Sequence, residues 1–180
     1  ERQGYSIIKQ EEVDVLNDVE AMVNKSHIKS LLGGRPQVSV VWVDSETDVL
    51  CKARFDVLNE ENIVDLKSTK NATFHKFRKD MYDFKYHIQA AMYQDAWAYH
   101  NQGEILPFIF VCIENKAPYG IASYAIREDS LTIGLAEARK AMATYKECVE
   151  TDTWPGYLDD VQDIDVPEWA LKQAGEAGLI

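Results

Sequence analysis

Hydrophobic and polar positions alternate along residues 37–69 in three consecutive runs. Residues 37–44 alternate, Ser45, Glu46, Thr47 and Asp48 interrupt them, and residues 49–58 alternate again. Asn59, Glu60, Glu61 and Asn62 make a second interruption before residues 63–69. Period-two alternation broken by short polar loops predicts three antiparallel strands joined by two hairpins. If each hairpin closes on its polar loop, Gln37 lies opposite Asp56, and Asp56 opposite Asp65. Directly opposite side chains share a face, with Cβ atoms about 4.5–5.5 Å apart. One predicted face then carries Gln37, Ser39, Lys52, Arg54, Asp56, Asp65 and Lys67. The other carries Val38, Val40, Trp42, Cys51, Ala53, Phe55, Val57, Val64 and Leu66, and is the expected core face.

The flanking pattern is helical. Residues 10–32 place Val13, Leu16, Val19, Met22 and Val23 on one stripe, with Ser26 as a candidate break and Gly33-Gly34 as the stop. Residues 74–81 predict a short helix, and residues 83–101 a long one with Phe84, Ile88, Ala91, Met92 and Tyr99 on its apolar face. Lys85, Gln89 and Tyr93 recur every fourth residue along another line of that helix. The run LPFIFVCI, residues 106–113, predicts a strand buried on both faces, and residues 119–126 an adjacent one. Asp129 or Ser130 caps a last long helix reaching about Glu150. Glu137 with Lys140, and Lys146 with Glu150, are spaced as charge pairs on its wet side. The expected fold class is α/β, a mixed central sheet flanked by helices. The expected organisation is a single domain over residues 1–180: helix 10–32, core 37–150 and an acidic tail 151–180. Trp154, Tyr157, Val166 and Trp169 are expected to anchor that tail against the body or a neighbouring subunit.

The polar face raises a chemical question. Two opposed carboxylates repel unless a cation lies between them, and oxygen ligands at such separation suit Mg²⁺. Lys67, two residues beyond Asp65, points the same way and could reach a phosphate or a water. Spacing alone fits a solvated sheet face equally well, its carboxylates paired with Arg54 and Lys67.

Composition narrows the classes. No run reaches transmembrane length and the start lacks a signal-peptide pattern, so the expected setting is cytoplasmic, without a membrane partner. The three cysteines, Cys51, Cys112 and Cys148, lie far apart without a CxxC pair, which disfavours zinc or iron–sulfur sites and suggests reduced, buried thiols. Net charge is −11, against a generic nucleic-acid binder. Yet Lys67, Lys70, Lys76, Arg78 and Lys79 follow one another without an intervening acid, a local strip able to meet a phosphate backbone. Lys52, Arg54 and Lys85 join them as candidate DNA contacts. No phosphate-cradling glycine loop, GxSxG or HExxH occurs, so nucleotide hydrolysis, serine hydrolysis and zinc proteolysis have no support. The first residue is Glu1, not methionine, which points to a trimmed or processed piece.

Asp56, eight residues, then Asp65-Leu66-Lys67 at the end of a hairpin resembles the PD-(D/E)XK nuclease core, with Phe55 at the variable proline place. More narrowly, VLCKARFDVL (49–58), IVDLKSTKNA (63–72), YHIQAAMYQDAW (86–97) and WPGYLDDVQDIDVPEWAL (154–171) resemble RecE-type exonuclease VIII of bacteria and their prophages. The resemblance implies a restriction-endonuclease-like core that degrades linear double-stranded DNA from 5′ to 3′ during recombination. It implies Mg²⁺, with Mn²⁺ able to substitute, held by Asp56, Asp65 and the main-chain carbonyl of Leu66. Lys67 would serve the attacking water and the phosphate, while Gln89 and Tyr93 match a QxxxY motif that abuts the metal and the DNA. A ring-shaped homo-oligomer and a single-strand annealing recombinase as partner are implied as well. One departure is Gln37, where the family usually shows the first acidic ligand: either a natural variant or a replaced glutamate. The family's upstream-helix histidine has no clear match, and His27 reads as a surface or packing residue.

Overall fold

The computed structural model describes residues 7–157 and 160–179. Residues 1–6, 158–159 and 180 of the expected single domain, two of them within the matched tail stretch, lie outside that description. The chain divides into two compact units, Glu1–Glu147 and Cys148–Ile180. The first holds α1 (Gln10–Lys25), α2 (Ile28–Leu31), β1 (Arg35–Val43), β2 (Leu50–Leu58), β3 (Ile63–Thr69), α3 (Phe74–Asp83), α4 (Tyr86–His100), β4 (Phe108–Glu114), β5 (Ile121–Ala125) and most of α5 (Glu128–Thr151). The second holds the end of α5 and α6 (Glu168–Glu176), and in it Trp154, Tyr157, Val166 and Trp169 are exposed. No described helix is long and apolar enough to cross a membrane.

The five strands pair in sequence order, β1 to β5. The β1–β2, β2–β3 and β4–β5 pairs are antiparallel, while β3 and β4 run parallel across the crossover that carries α3 and α4. Both early turns are organised by their first residue. The Asp44 carboxylate accepts the amides of Glu46 at 3.2 Å and Thr47 at 2.8 Å. The Asn59 side-chain oxygen accepts those of Glu61 at 2.9 Å and Asn62 at 2.7 Å. Such Asx turns satisfy loop amides locally and so fix the hairpin register. The register is the expected one: Val38 pairs with Phe55 and Arg35 with Leu58, then Leu58 with Ile63 and Val57 with Val64.

The faces are as expected through Phe55, with Val38 and Val40 packed against the same core, and change beyond it. Trp42, Cys51, Ala53, Phe55, Leu58 and Ile63 pack with Ala90, Ala96 and Ala138 of the helices. Val57 and Val64 pack in a second cluster with Val111 and Ile28, on the α2 side. Phe55 and Val57 should share a face in a regular strand, so the pleat changes phase between them. Opposite the change stands Gln37, whose φ of 54° is left-handed and drops it out of the ladder between Pro36 and Val38. In consequence Asp65 and Lys67 face α4 and not the outer face, and Leu66, an expected core residue, is exposed.

The first helical run breaks at Ser26-His27, as Ser26 suggested, but none of the α1 stripe is buried. The later helices depart further from the pattern. The long helix begins at Tyr86 and not at 83, because Lys85 adopts φ 59° and turns the chain between α3 and α4. Glu137 and Lys146 do not pair along α5. Glu137 meets Lys85 at 3.3 Å, and Lys146 donates to the Thr47 carbonyl at 2.9 Å. A Cβ on Gly134 would lie 2.3 Å from the His87 carbonyl oxygen, so only glycine lets α5 approach α4 this closely.

Candidate active site

The β2–β3 ladder stops after its two pairs nearest the turn, and the strands part at Asp56 and Asp65. Asp56 fills the opening. Its Oδ2 accepts the Leu66 amide at 2.9 Å, replacing the main-chain acceptor that a continued ladder would supply. Its Oδ1 accepts Gln37 Nε2 at 3.2 Å. The left-handed turn at Gln37 thus sends that amide to Asp56.

Asp65 is 2% exposed. Gln89 of α4 donates Nε2 to Asp65 Oδ1 at 2.7 Å and accepts Lys67 Nζ through Oε1 at 2.7 Å. Lys67 Nζ also lies 2.6 Å from Asp65 Oδ2, an ion pair without hydrogen-bond alignment, so that oxygen is otherwise unsatisfied. The Tyr86 ring supports the ammonium at 4.3 Å from its centroid. Burial pushes the Asp65 carboxyl above its ordinary value; Lys67 and Gln89 pull it back, the Asp56 charge adds to the rise, and burial prevails. Across the parallel pair, Cys112 is buried opposite Lys67, and desolvation pushes its thiol up to about 12, which keeps it inert.

Gln37, Asp56, Asp65, Leu66, Lys67 and Gln89 are therefore brought together. Other candidates are not. Tyr93 packs between Phe55 at 5.2 Å and Phe108 at 6.1 Å in the core. Lys52 and Arg54 are exposed on the face opposite Ala53 and Phe55, away from α4. Lys85 leaves the line of Gln89 and Tyr93 for Glu137. Lys76 is paired with Asp80; Lys70, Arg78 and Lys79 are exposed. Tyr86 went unremarked in the sequence, though its place one turn before Gln89 was a readable signal.

A hard cation fits this donor set. Asp65 Oδ2 has the Lys67 ammonium beside it and no further donor, and the second carboxylate, Asp56, is near enough to raise its pKa; paired carboxylate oxygens are donors a hard cation takes. The set is lean: among the described residues no three His, Cys, Asp or Glu side chains gather around one point. Beside Asp56 the next polar side chain is the neutral amide of Gln37.

The chain belongs to the family described as a PDDEXK-like domain of unknown function, DUF3799, whose model matches residues 1–166. Nucleases of the PDDEXK type generally use divalent metal ions. A crystal structure of a protein from Eubacterium rectale, provisionally described as an exonuclease, superposes with a TM-score of 0.64 at 18% identity, covering 92% of this chain and 69% of that one. It shares the fold. The crystal structure of SSO0001 is 16% identical with a TM-score of 0.42, covering 81% and 61% of the two chains, too low a score to bear on the fold. No curated protein matches the chain.

Proposed function

We infer that the chain is a Mg²⁺-dependent exodeoxyribonuclease that degrades linear double-stranded DNA, 5′ to 3′, in recombination. The observation that carries this reading is the Asp56–Asp65–Lys67–Gln89 cluster at the opened hairpin. Asp56, Asp65 and the Leu66 carbonyl would hold the ion, with the Gln37 oxygen as a neutral fourth donor. When bound, a divalent cation supplies positive charge against the phosphate and acidifies an attacking water. Asp65 is already a poor home for an uncompensated charge, so a cation relieves what burial imposes. Lys67, released from Asp65, turns to the water and the phosphate; Gln89 keeps hold of both side chains and limits the swing. The water oxygen would bond to phosphorus as the bond to the departing sugar oxygen breaks, the water giving up its proton to solvent and the departing oxygen taking one from solvent, with Lys67 offsetting the charge that develops. Lys70, Arg78 and Lys79 would track the backbone. The ring-shaped oligomer and the annealing recombinase partner belong to the same proposal and rest on the resemblance alone.

A second reading is favoured by Gln37: a nuclease fold that binds DNA without cutting it. Linear and circular duplexes incubated with Mg²⁺ separate the readings. Loss of the linear form only is expected. Nicked circles would indicate an endonuclease, and retention on DNA without product would indicate the inactive module.

A further inference from the structure

A cavity of about 380 Å³ opens directly beside Lys67, and the chemistry so far assigned makes no use of it. Its size falls in the range of small-ligand pockets. Lys67 forms one wall, so the cavity abuts the ammonium that would meet a phosphate. One side is aromatic: Phe84 and Tyr86, ring centroids 5.7 Å apart, flank the left-handed Lys85. Phe84 is 64% exposed, a large apolar ring standing in solvent. The other side is polar, with Lys70 and the Lys76–Asp80 pair. Asp80 neutralises Lys76, which leaves room for one phosphate near Lys70 and disfavours a second.

We propose that this cavity takes a single unpaired nucleotide of the substrate, next to the phosphate held at Asp65 and Lys67. The base stacks on Phe84, with Tyr86 behind it, and its phosphate meets Lys70. A cavity of about 380 Å³ has room for one nucleotide and not for a nucleotide pair, and stacking on aromatic side chains tolerates any base. The left-handed Lys85 has the role of aiming the two neighbouring rings at one space; strained backbone of this kind persists where the surroundings hold it. The enzyme would thereby read a frayed or single-stranded end ahead of the duplex. This inference rests on the nuclease reading.

The test uses the full chain and a short duplex carrying 2-aminopurine at its unpaired 5′ terminus, with Ca²⁺ in place of Mg²⁺. Binding should quench the fluorophore. Phe84→Ala should lose the quench and weaken binding by about tenfold or more, the range that base stacking on one aromatic supports. Phe84→Trp should retain both, and Tyr99→Ala, an exposed ring at the far end of α4, should match the parent. If the parent binds and cuts DNA while Phe84→Ala quenches and binds as the parent does, this proposal falls and the nuclease reading stands. If no form binds or cuts DNA, both fall.

Discussion

Asp44 and Asp65 are both buried carboxylates, 0% and 2% exposed, and they are treated in opposite ways. Asp44 opens the turn that follows β1. Its Oδ1 accepts the Thr47 amide at 2.8 Å and the Thr47 hydroxyl at 2.7 Å, and its Oδ2 accepts Arg139 Nε at 3.2 Å. Burial pushes its pKa up, but the Thr47 bonds and Arg139 outweigh burial, and the net shift is downward. Arg139 also reaches Glu46 and, at 3.8 Å, Asp95, so one guanidinium ties the first hairpin to α4 and α5. Asp65 has a lysine and a glutamine, one oxygen without an aligned donor, and a net shift upward. The Asp44 carboxylate has its charge met by more partners than burial costs; the Asp65 carboxylate, beside a second carboxylate, does not.

The largest expected break in this comparison is Asp65→Asn. It should reduce DNA cleavage by about a thousandfold or more, roughly 4 kcal/mol of barrier. It should not lower the melting temperature of the metal-free protein at pH 7, because it removes a charge that burial penalises. The pH dependence has a definite sign. The folded pKa of Asp65 lies above its ordinary value of 3.8, so protonation favours the folded state as pH falls through the folded pKa. The advantage of Asp65→Asn over the parent should therefore shrink on acidification. Melting curves at pH 7 and near pH 4 check this. A clear loss of stability at pH 7 would make Asp65 a structural carboxylate like Asp44.

Asp44→Ala should act the other way. It strands Arg139 and the Thr47 donors, which for a buried pair costs about 3 kcal/mol, or roughly 10 °C in a chain of this size. Because its folded pKa is depressed, the stability that Asp44 supplies is present above 3.8 and is lost as pH falls through the folded pKa. The gap between mutant and parent should then stay constant from pH 7 to 5 and close only in stronger acid. Fluorescence-detected melting across that range measures it, and binding of Ca²⁺ at 25 °C by the folded fraction should be unaffected.

The frame of this contrast was legible in the sequence. The two turns open with Asp44-Ser45 and Asn59-Glu60, and such residues organise their own loops, so the hairpin register followed from local chemistry, although the ladder omits the pairs expected at Gln37, Asp56 and Asp65. The facing of Asp65 toward α4 did not follow. It depends on a phase change at Gln37 and Asp56, and the left-handed residues Gln37 and Lys85 carry no glycine to announce them. Arg139 was equally silent, since its carboxylates lie far away in sequence and meet only when α5 packs. The same long-range packing took Lys85 and Lys146 away from their expected roles.

The smallest effect sharpens the comparison at Gln37. Gln37 Nε2 donates to Asp56 Oδ1 at 3.2 Å, so the amide spends a hydrogen on a carboxylate that a cation would also need. Glutamate in its place cannot donate there. It would instead add one negative oxygen beside Asp56 and raise the repulsion that Asp65 already feels. Without metal, Gln37→Glu should therefore be slightly less stable than the parent. With metal the sign reverses, because charge count sets much of a hard cation's affinity. Gln37→Glu should bind Mg²⁺ more tightly and cut end-labelled linear duplex about tenfold faster, roughly 1.4 kcal/mol of barrier. Calorimetric titration with Mg²⁺ and initial rates on that duplex measure the two halves separately. Tighter binding without faster cutting would leave Gln37 at the site but assign the lost activity elsewhere. Neither change would remove Gln37 from the metal's surroundings, and its bond to Asp56 would then be an ordinary cross-strand contact.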